Sequence, residues 1–285
     1  MPVNHSLGIA LGRTCIGIRC QDQAFLAESL HRYGAFLTPQ EPEFWIELDL
    51  RQERTVAEVR GLLPQMRMRV DGEGFATEPE LLRGTVDWPA GVLRVQAERA
   101  LFSLANEYRL MNALLRGLYY GIYKRKKGIK PDAYLVHGCG VLGDGRGYLF
   151  TGPSGAGKTT VARMARGRRV LNDEVVLAGD GEGRFYVAGT PFDGGIVERC
   201  NLVADLHVVL LLRHGPEVSV RKLGGAEAYK KLLAQTIEAM PLLDTGWLTS
   251  LRERADFCAA LAGAVPCYEL TFRLDDTFWP VVKAL

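Results

Sequence analysis

Gly152-Pro153-Ser154-Gly155-Ala156-Gly157-Lys158-Thr159 meets every fixed position of the phosphate-loop pattern. Its flanks agree: Tyr148-Leu149-Phe150 reads as a short apolar strand entering the loop, and Thr160-Val161-Ala162-Arg163-Met164-Ala165 can begin a helix behind it. Between a strand and a helix, such glycines let the backbone curl until successive N–H groups face phosphate oxygens, at the positive end of the helix. The expected nucleotide-binding residues are therefore Gly152, Ser154, Gly155, Ala156, Gly157, Lys158, Thr159 and Thr160. Lys158 has the reach for β- and γ-phosphates, and the Thr159 hydroxyl suits Mg²⁺, so ATP and Mg²⁺ are the expected cofactors.

Downstream, Val170-Leu171-Asn172-Asp173-Glu174-Val175-Val176 is an apolar strand pattern interrupted by two carboxylates. Only one short helix, Thr160 to about Arg166, fits between the loop and this strand. The acid-bearing strand therefore comes directly after the loop helix, whereas most phosphate-loop NTPases place further elements between the two motifs. With Thr159, the carboxylates of Asp173 and Glu174 form the expected metal-binding set.

Further out, residues up to about Gln96 read as β-rich. Phe44 to Leu50 alternates apolar and polar over its second half and Met66 to Asp71 throughout, as strands with one wet face do, and Val92 to Val95 resembles another strand. Thr55 to Leu63 suits a short helix. Leu101, Leu104, Ala105, Tyr108, Met111, Leu115, Leu118 and Ile122 then share one helical face. That helix ends in Lys124-Arg125-Lys126-Lys127-Gly128, a basic run and glycine suited to a helix C-terminus; the other reading is a patch for an anionic substrate. Ala133 to Val136, Leu206 to Leu212 and Tyr268 to Leu274 read as strands, and Ala226 to Met240 as a helix. The expectation is two domains: a β-rich α+β domain over 1–96 and an α/β domain over 97–285.

Composition narrows the class. The chain has 285 residues, 47% hydrophobic and 24% charged, which excludes disordered and fibrous classes. A formal charge of +2 lacks the electrostatic footprint of a general nucleic-acid binder. No run approaches the ~20 apolar residues of a membrane span, and the amino-terminal residues lack the basic and apolar regions of a signal peptide. A cytoplasmic protein with no nucleic-acid or membrane partner is expected; homo-oligomerisation stays open. The cysteines, Cys15, Cys20, Cys139, Cys200, Cys258 and Cys267, show no ligand spacing and read as buried thiols.

Three stretches in succession resemble one family. His137-Gly138-Cys139-Gly140-Val141-Leu142, the loop Gly152 to Thr160, and Arg166 to Glu174 are similar to motifs of the HPr kinase/phosphorylase catalytic domain, most of all its divergent relatives in peptide-modification gene cassettes. Gly189-Thr190-Pro191-Phe192 matches a Gly-Thr-Pro-aromatic motif of those relatives. The resemblance spans about residues 134–195. It implies a core of the phosphoenolpyruvate-carboxykinase-like fold and an ATP- and Mg²⁺-dependent kinase acting on a serine or threonine hydroxyl of a protein or peptide.

Residue by residue, the resemblance implies that Asp173 is the general base, that Glu174 stands in for the family's second Asp, that Lys158 and Thr159 serve phosphate and magnesium, and that His137 lies at the edge of the phosphate site. Asp173, Lys158 and His137 are thus the catalytic candidates. The blander readings are that the two carboxylates only hold Mg²⁺ through water, and that His137 is a satisfied strand-end histidine. The family's glycine- and arginine-bearing substrate segment has no clear counterpart; Arg199, Arg221 and Lys222 are the nearest basic candidates, which points away from HPr as acceptor. Rival readings are a small-molecule kinase, for example on free serine, and a non-catalytic ATP-binding module of a peptide-biosynthesis complex. Edge-strand addition of a peptide to the amino-terminal sheet is a further expectation.

Overall fold

The computed structural model describes residues 6–72, 74–102, 108–181, 183–192, 194, 199–237, 251–273 and 275–285. These residues divide into two compact units, one up to Pro131 and one from Asp132 onward. Residues 97–131, assigned from sequence to the α/β domain, lie with the first unit. Each unit has its own sheet, and the chain is mixed α/β.

In the first unit the sheet is built from β1 (Ser6–Leu11), β2 (Thr14–Cys20), β3 (Phe44–Arg51), β4 (Arg67–Asp71), β5 (Gly74–Glu78), β6 (Leu82–Asp87) and β7 (Val92–Glu98), in the order β1-β2-β3-β7-β6-β5-β4. β2, β3 and β7 run parallel, joined by crossovers that carry α1 (Gln23–Tyr33) and α2 (Val56–Leu62). Both helices are capped from their own sequence. Asp22 accepts from the Phe25 N–H at 2.9 Å, and Thr55 with Glu58 forms a reciprocal capping box. Strand alternation sends Phe44, Ile46 and Leu48 inward and places Glu47 and Asp49 on the opposite face. There Arg19, Glu47, Arg94 and Thr85 stand abreast across four strands, in a trough of about 1010 Å³.

The long helix of the first unit is α3 (Tyr108–Gly121), which continues into a wider π-type turn over Ile122–Lys127 and ends at Gly128 in the left-handed region, φ 65°. Leu104 and Ala105, expected on its apolar face, lie outside the described residues. Two of the basic residues close the turn onto Glu43: Lys127 pairs with its carboxylate at 2.7 Å, and Lys126 donates to its backbone carbonyl.

The second unit comprises β8 (Ala133–Gly143), β9 (Arg146–Thr151), β10 (Arg169–Asn172), β11 (Val175–Gly181), β12 (Arg184–Ala188), β13 (Val203–His214), β14 (Ser219–Lys222) and β15 (Cys267–Phe272). β9, β13 and β15 run parallel; the other pairings are antiparallel. Pairing runs β8–β11–β12–β13–β9 and back to β8, so these five strands close on themselves. Around them sit α4 (Lys158–Arg163), α5 (Gly225–Leu233), α6 (Leu251–Ala264) and α7 (Trp279–Lys283). Val161, Ala162 and Ala165 of the α4 segment join Cys139, Phe150, Leu210, Phe272, Phe278 and Trp279 in one buried cluster. Burial of each large apolar side chain there stabilises by roughly 1.5–3 kcal/mol.

Three elements differ from the sequence expectation. The strand expected over 170–176 is broken into β10 and β11, because the Asn172 side chain takes the N–H groups of Glu174 and Val175 that a continuous ladder would use. The helix expected over 226–240 ends at Leu233; Gln235 O then accepts from His137 N, and Ile237 N donates to Leu135 O, so tertiary pairing with β8 captures residues 235–237. The loop helix is α4, Lys158–Arg163, starting two residues earlier and stopping sooner than the expected Thr160 to Arg166. Among the described residues no helix is long and apolar enough to cross a membrane.

Candidate functional site

β8 changes partners at His137 and Gly138, and the site is built at that point. Along one edge it pairs first with residues 235–237 and then with β9, with Gly138 opposite Thr151; along the other it pairs first with β11, with His137 opposite Val175, and then with β10. Thr151 is the last residue of β9 and the one before the glycine-rich loop. Its hydroxyl donates to the His137 carbonyl at 2.7 Å and so ties the loop's base to β8.

The loop closes on itself locally. Ala156 N donates to Pro153 O at 3.1 Å, and Val161 N donates to Gly157 O at 2.9 Å as α4 begins. Gly155 and Gly157 have φ of +80° and +101°, a region that side chains with a Cβ rarely adopt. Pro153, Ser154 and Gly155 are exposed, Gly152 and Ala156 buried, and Thr159 and Thr160 half-buried. Lys158 is buried and folds back so that Nζ donates to the Gly152 carbonyl at 2.9 Å and the Pro153 carbonyl at 3.0 Å. His214, at the end of β13, joins its Nε2 to the Gly155 carbonyl at 2.7 Å and stacks on Phe272.

On the other edge of β8, the register puts Asn172 opposite Gly140 and Val175 opposite His137, so Asp173 and Glu174 pass alongside Cys139 and Gly138. Gly138 N donates to Glu174 O at 3.1 Å. Asp173 is 1% exposed, and Glu174 reaches His137, Oε1 to Nε2, at 3.2 Å. Gly194 lies against Asp173 so closely that a Cβ there would stand 1.8 Å from Oδ1.

The loop and the acidic residues thus meet across one strand. Burial pushes the Lys158 pKa down, while Glu174, Cys139 and Asp173 oppose that shift. Burial likewise pushes the Cys139 thiol up; Asp173 adds to this and Lys158 opposes it. Lys158, Asp173 and Glu174 therefore share one electrostatic environment, with His137 attached through Glu174. Among the described residues no trio of His, Cys, Asp and Glu gathers as a metal cage. Mg²⁺ requires none, since it commonly keeps several waters and takes one or two carboxylates plus substrate phosphates. The candidates to hold it are the Asp173 and Glu174 carboxylates and the Thr159 hydroxyl.

Sequence reasoning assigned no role to Asn172, Thr190, Gly194 or His214. Asn172 and Thr190 stand inside motifs that were read for their neighbours, and Gly194 and His214 carry no local signal. Of the other basic candidates, Arg199 donates to the Phe192 carbonyl at 3.4 Å, beside the acidic turn. Arg221 is held by Glu227 and Glu269 at 2.8 and 3.3 Å in a surface ion-pair group, and Lys222 is exposed on β14.

No protein-family model matches the chain, and no curated protein matches it. A solved structure, the HPr(Ser) kinase/phosphatase from Coxiella burnetii, is similar to it with a TM-score of 0.29 and 11% identity, over 52% of this chain and 91% of that one. A likeness of that degree fixes neither fold nor activity.

Proposed function

We propose that the chain is an ATP- and Mg²⁺-dependent kinase that transfers the γ-phosphoryl group to a serine or threonine hydroxyl of a protein or peptide. The observation that carries this reading is that the glycine-rich loop with Lys158 leaves β9 on one edge of β8, while the Asp173–Glu174 turn passes along the other edge at the same level of that strand. The sequence resemblance to the HPr kinase/phosphorylase domain agrees with it.

Phosphoryl transfer consists mainly of positioning and charge neutralisation. The loop N–H groups and Lys158 hold the triphosphate, and Lys158 exchanges its bonds to the Gly152 and Pro153 carbonyls for phosphate oxygens. The Thr159 hydroxyl and the acid pair would hold Mg²⁺, which would supply positive charge beside the phosphates. Asp173 takes the proton of the acceptor hydroxyl, whose oxygen joins the γ-phosphorus as its bond to the bridging oxygen breaks and ADP leaves. Glu174, joined to His137, opposes the lowering that burial imposes on the Lys158 ammonium. In the amino-terminal unit, strand β4 pairs only with β5 among the described strands, and such an edge suits the addition of an extended peptide.

The test is transfer from labelled ATP to candidate peptides and, in parallel, to free serine. Asp173→Asn is expected to lower kcat by about 10²-fold or more, within the range for loss of a general base, with nucleotide affinity kept. Lys158→Ala is expected to lose nucleotide affinity itself. Full activity of the Asp173 variant removes it from the mechanism, turnover on free serine alone makes the enzyme a small-molecule kinase, and nucleotide binding without any transfer supports the non-catalytic reading.

A further inference from the structure

The broken strand between β10 and β11 has one side chain at its centre. Asn172 is 1% exposed and uses both ends of its amide. Its Oδ1 accepts from Glu174 N at 2.7 Å and Val175 N at 3.1 Å. Its Nδ2 donates to the carbonyls of Thr190 and Phe192 at 3.0 and 2.7 Å and approaches Thr190 Oγ1 at 3.2 Å. Thr190, fully buried, donates its own hydroxyl to the Val175 carbonyl. Asn172 and Thr190 together therefore join the turn that carries Asp173 and Glu174 to the Gly189–Phe192 segment, which enters from β12.

We infer that Asn172 is a positioning residue, and that it and Thr190 form a latch that sets the direction of the Asp173 and Glu174 carboxylates towards the glycine-rich loop. This rests on the function proposed above and assigns the Gly-Thr-Pro-Phe stretch to holding the acid turn rather than to touching nucleotide or acceptor. An asparagine suits the task because its amide offers an acceptor and two donors at once. The turn has given up its ladder partners here, and buried N–H and C=O groups without replacements are costly. None of the hydrogen bonds of Asn172 and Thr190 goes to the loop, so their loss is expected to shift the carboxylates and leave the loop intact. A misplacement of about 1 Å at reacting groups can cost on the order of 10²-fold in rate.

The experiment compares Asn172→Ala, Thr190→Val and Thr190→Ser in the full chain, with two readouts. Amide hydrogen exchange at Glu174 and Val175 is expected to quicken about tenfold or more in Asn172→Ala, a rise of the size that loss of one net hydrogen bond of ~1.4 kcal/mol produces, while exchange at Leu149 and Phe150 stays unchanged. In the transfer assay, kcat is expected to fall about 10²-fold, with nucleotide affinity held within about threefold. Thr190→Ser, which keeps the hydroxyl, is expected to retain activity that Thr190→Val loses. Unchanged exchange at Glu174 and Val175, or loss of nucleotide affinity in step with kcat, overturns the inference. If the wild-type chain transfers no phosphoryl group, the kinase reading fails, and the exchange comparison still decides whether Asn172 and Thr190 hold the acid turn.

Discussion

Asp173 is buried beside a glycine, and the two residues constrain each other. Gly194 approaches so closely that an added Cβ would stand 1.8 Å from Asp173 Oδ1 and 3.1 Å from Glu174 Cβ. Gly194→Ala must therefore move the carboxylate or the backbone. On the reading of Asp173 as base, the expected outcome is a loss in kcat of roughly 10–10²-fold, with nucleotide affinity little changed; steady-state kinetics with varied ATP checks it. The glycine-rich loop between β9 and α4 was legible at this scale because its residues are consecutive. The partnership of Asp173 with Gly194 was not, since a glycine's value there lies in what it leaves empty for a side chain on another segment.

Among the elements, α4 is short, and its support comes largely from a distant part of the chain. Trp279, at the start of α7, donates Nε1 to the Met164 carbonyl at 2.9 Å, just past the end of α4, and lies under the Arg168 guanidinium at 3.9 Å. Its ring also packs edge-on against Tyr148 and Phe150 of β9, the strand that leads into the loop. Trp279→Ala removes a 4%-exposed side chain from this cluster and should cost about 3–5 kcal/mol of stability. Urea unfolding should show a lower midpoint at an unchanged slope. Sequence periodicity located β3, β4, β8, β9 and β13, whose patterns are local. It missed the break between β10 and β11 and overran α5, because in both places bonds from outside the element outcompete local preference.

For the whole molecule, the described cysteines are all free, and five of the six are buried. Burial raises the pKa of all six thiols, Cys15 in the first unit and Cys267 in the second among them. Burial pushes the Cys15 thiol up to about 11, with Glu43 and Glu41 adding to the effect, and burial alone brings Cys267 to about 11. A raised native pKa means that unfolded chains lose these protons first as pH rises. The stabilisation is present in full below the ordinary thiol value of 9.0 and is lost as pH climbs towards about 11. Urea midpoints are therefore expected to fall between pH 8.5 and 10.5, with a smaller fall in the Cys15→Ser, Cys267→Ser double variant. Native protein at pH 8.5 should also resist alkylation at both thiols, since the thiolate is the reactive form.

The amino-acid order alone determined the strand–loop–helix around Lys158, the carboxylates soon after it and the short helix after Thr55, because the signal for each lies within a few consecutive residues. Only the tertiary structure decided that β8 changes partners at His137 and Gly138, that the described chain divides at Asp132, and that Asp173 and Lys158 are both buried, on segments flanking the two edges of β8. These depend on hydrogen bonds and packing between segments far apart in the chain, where local propensity says nothing about which partner wins.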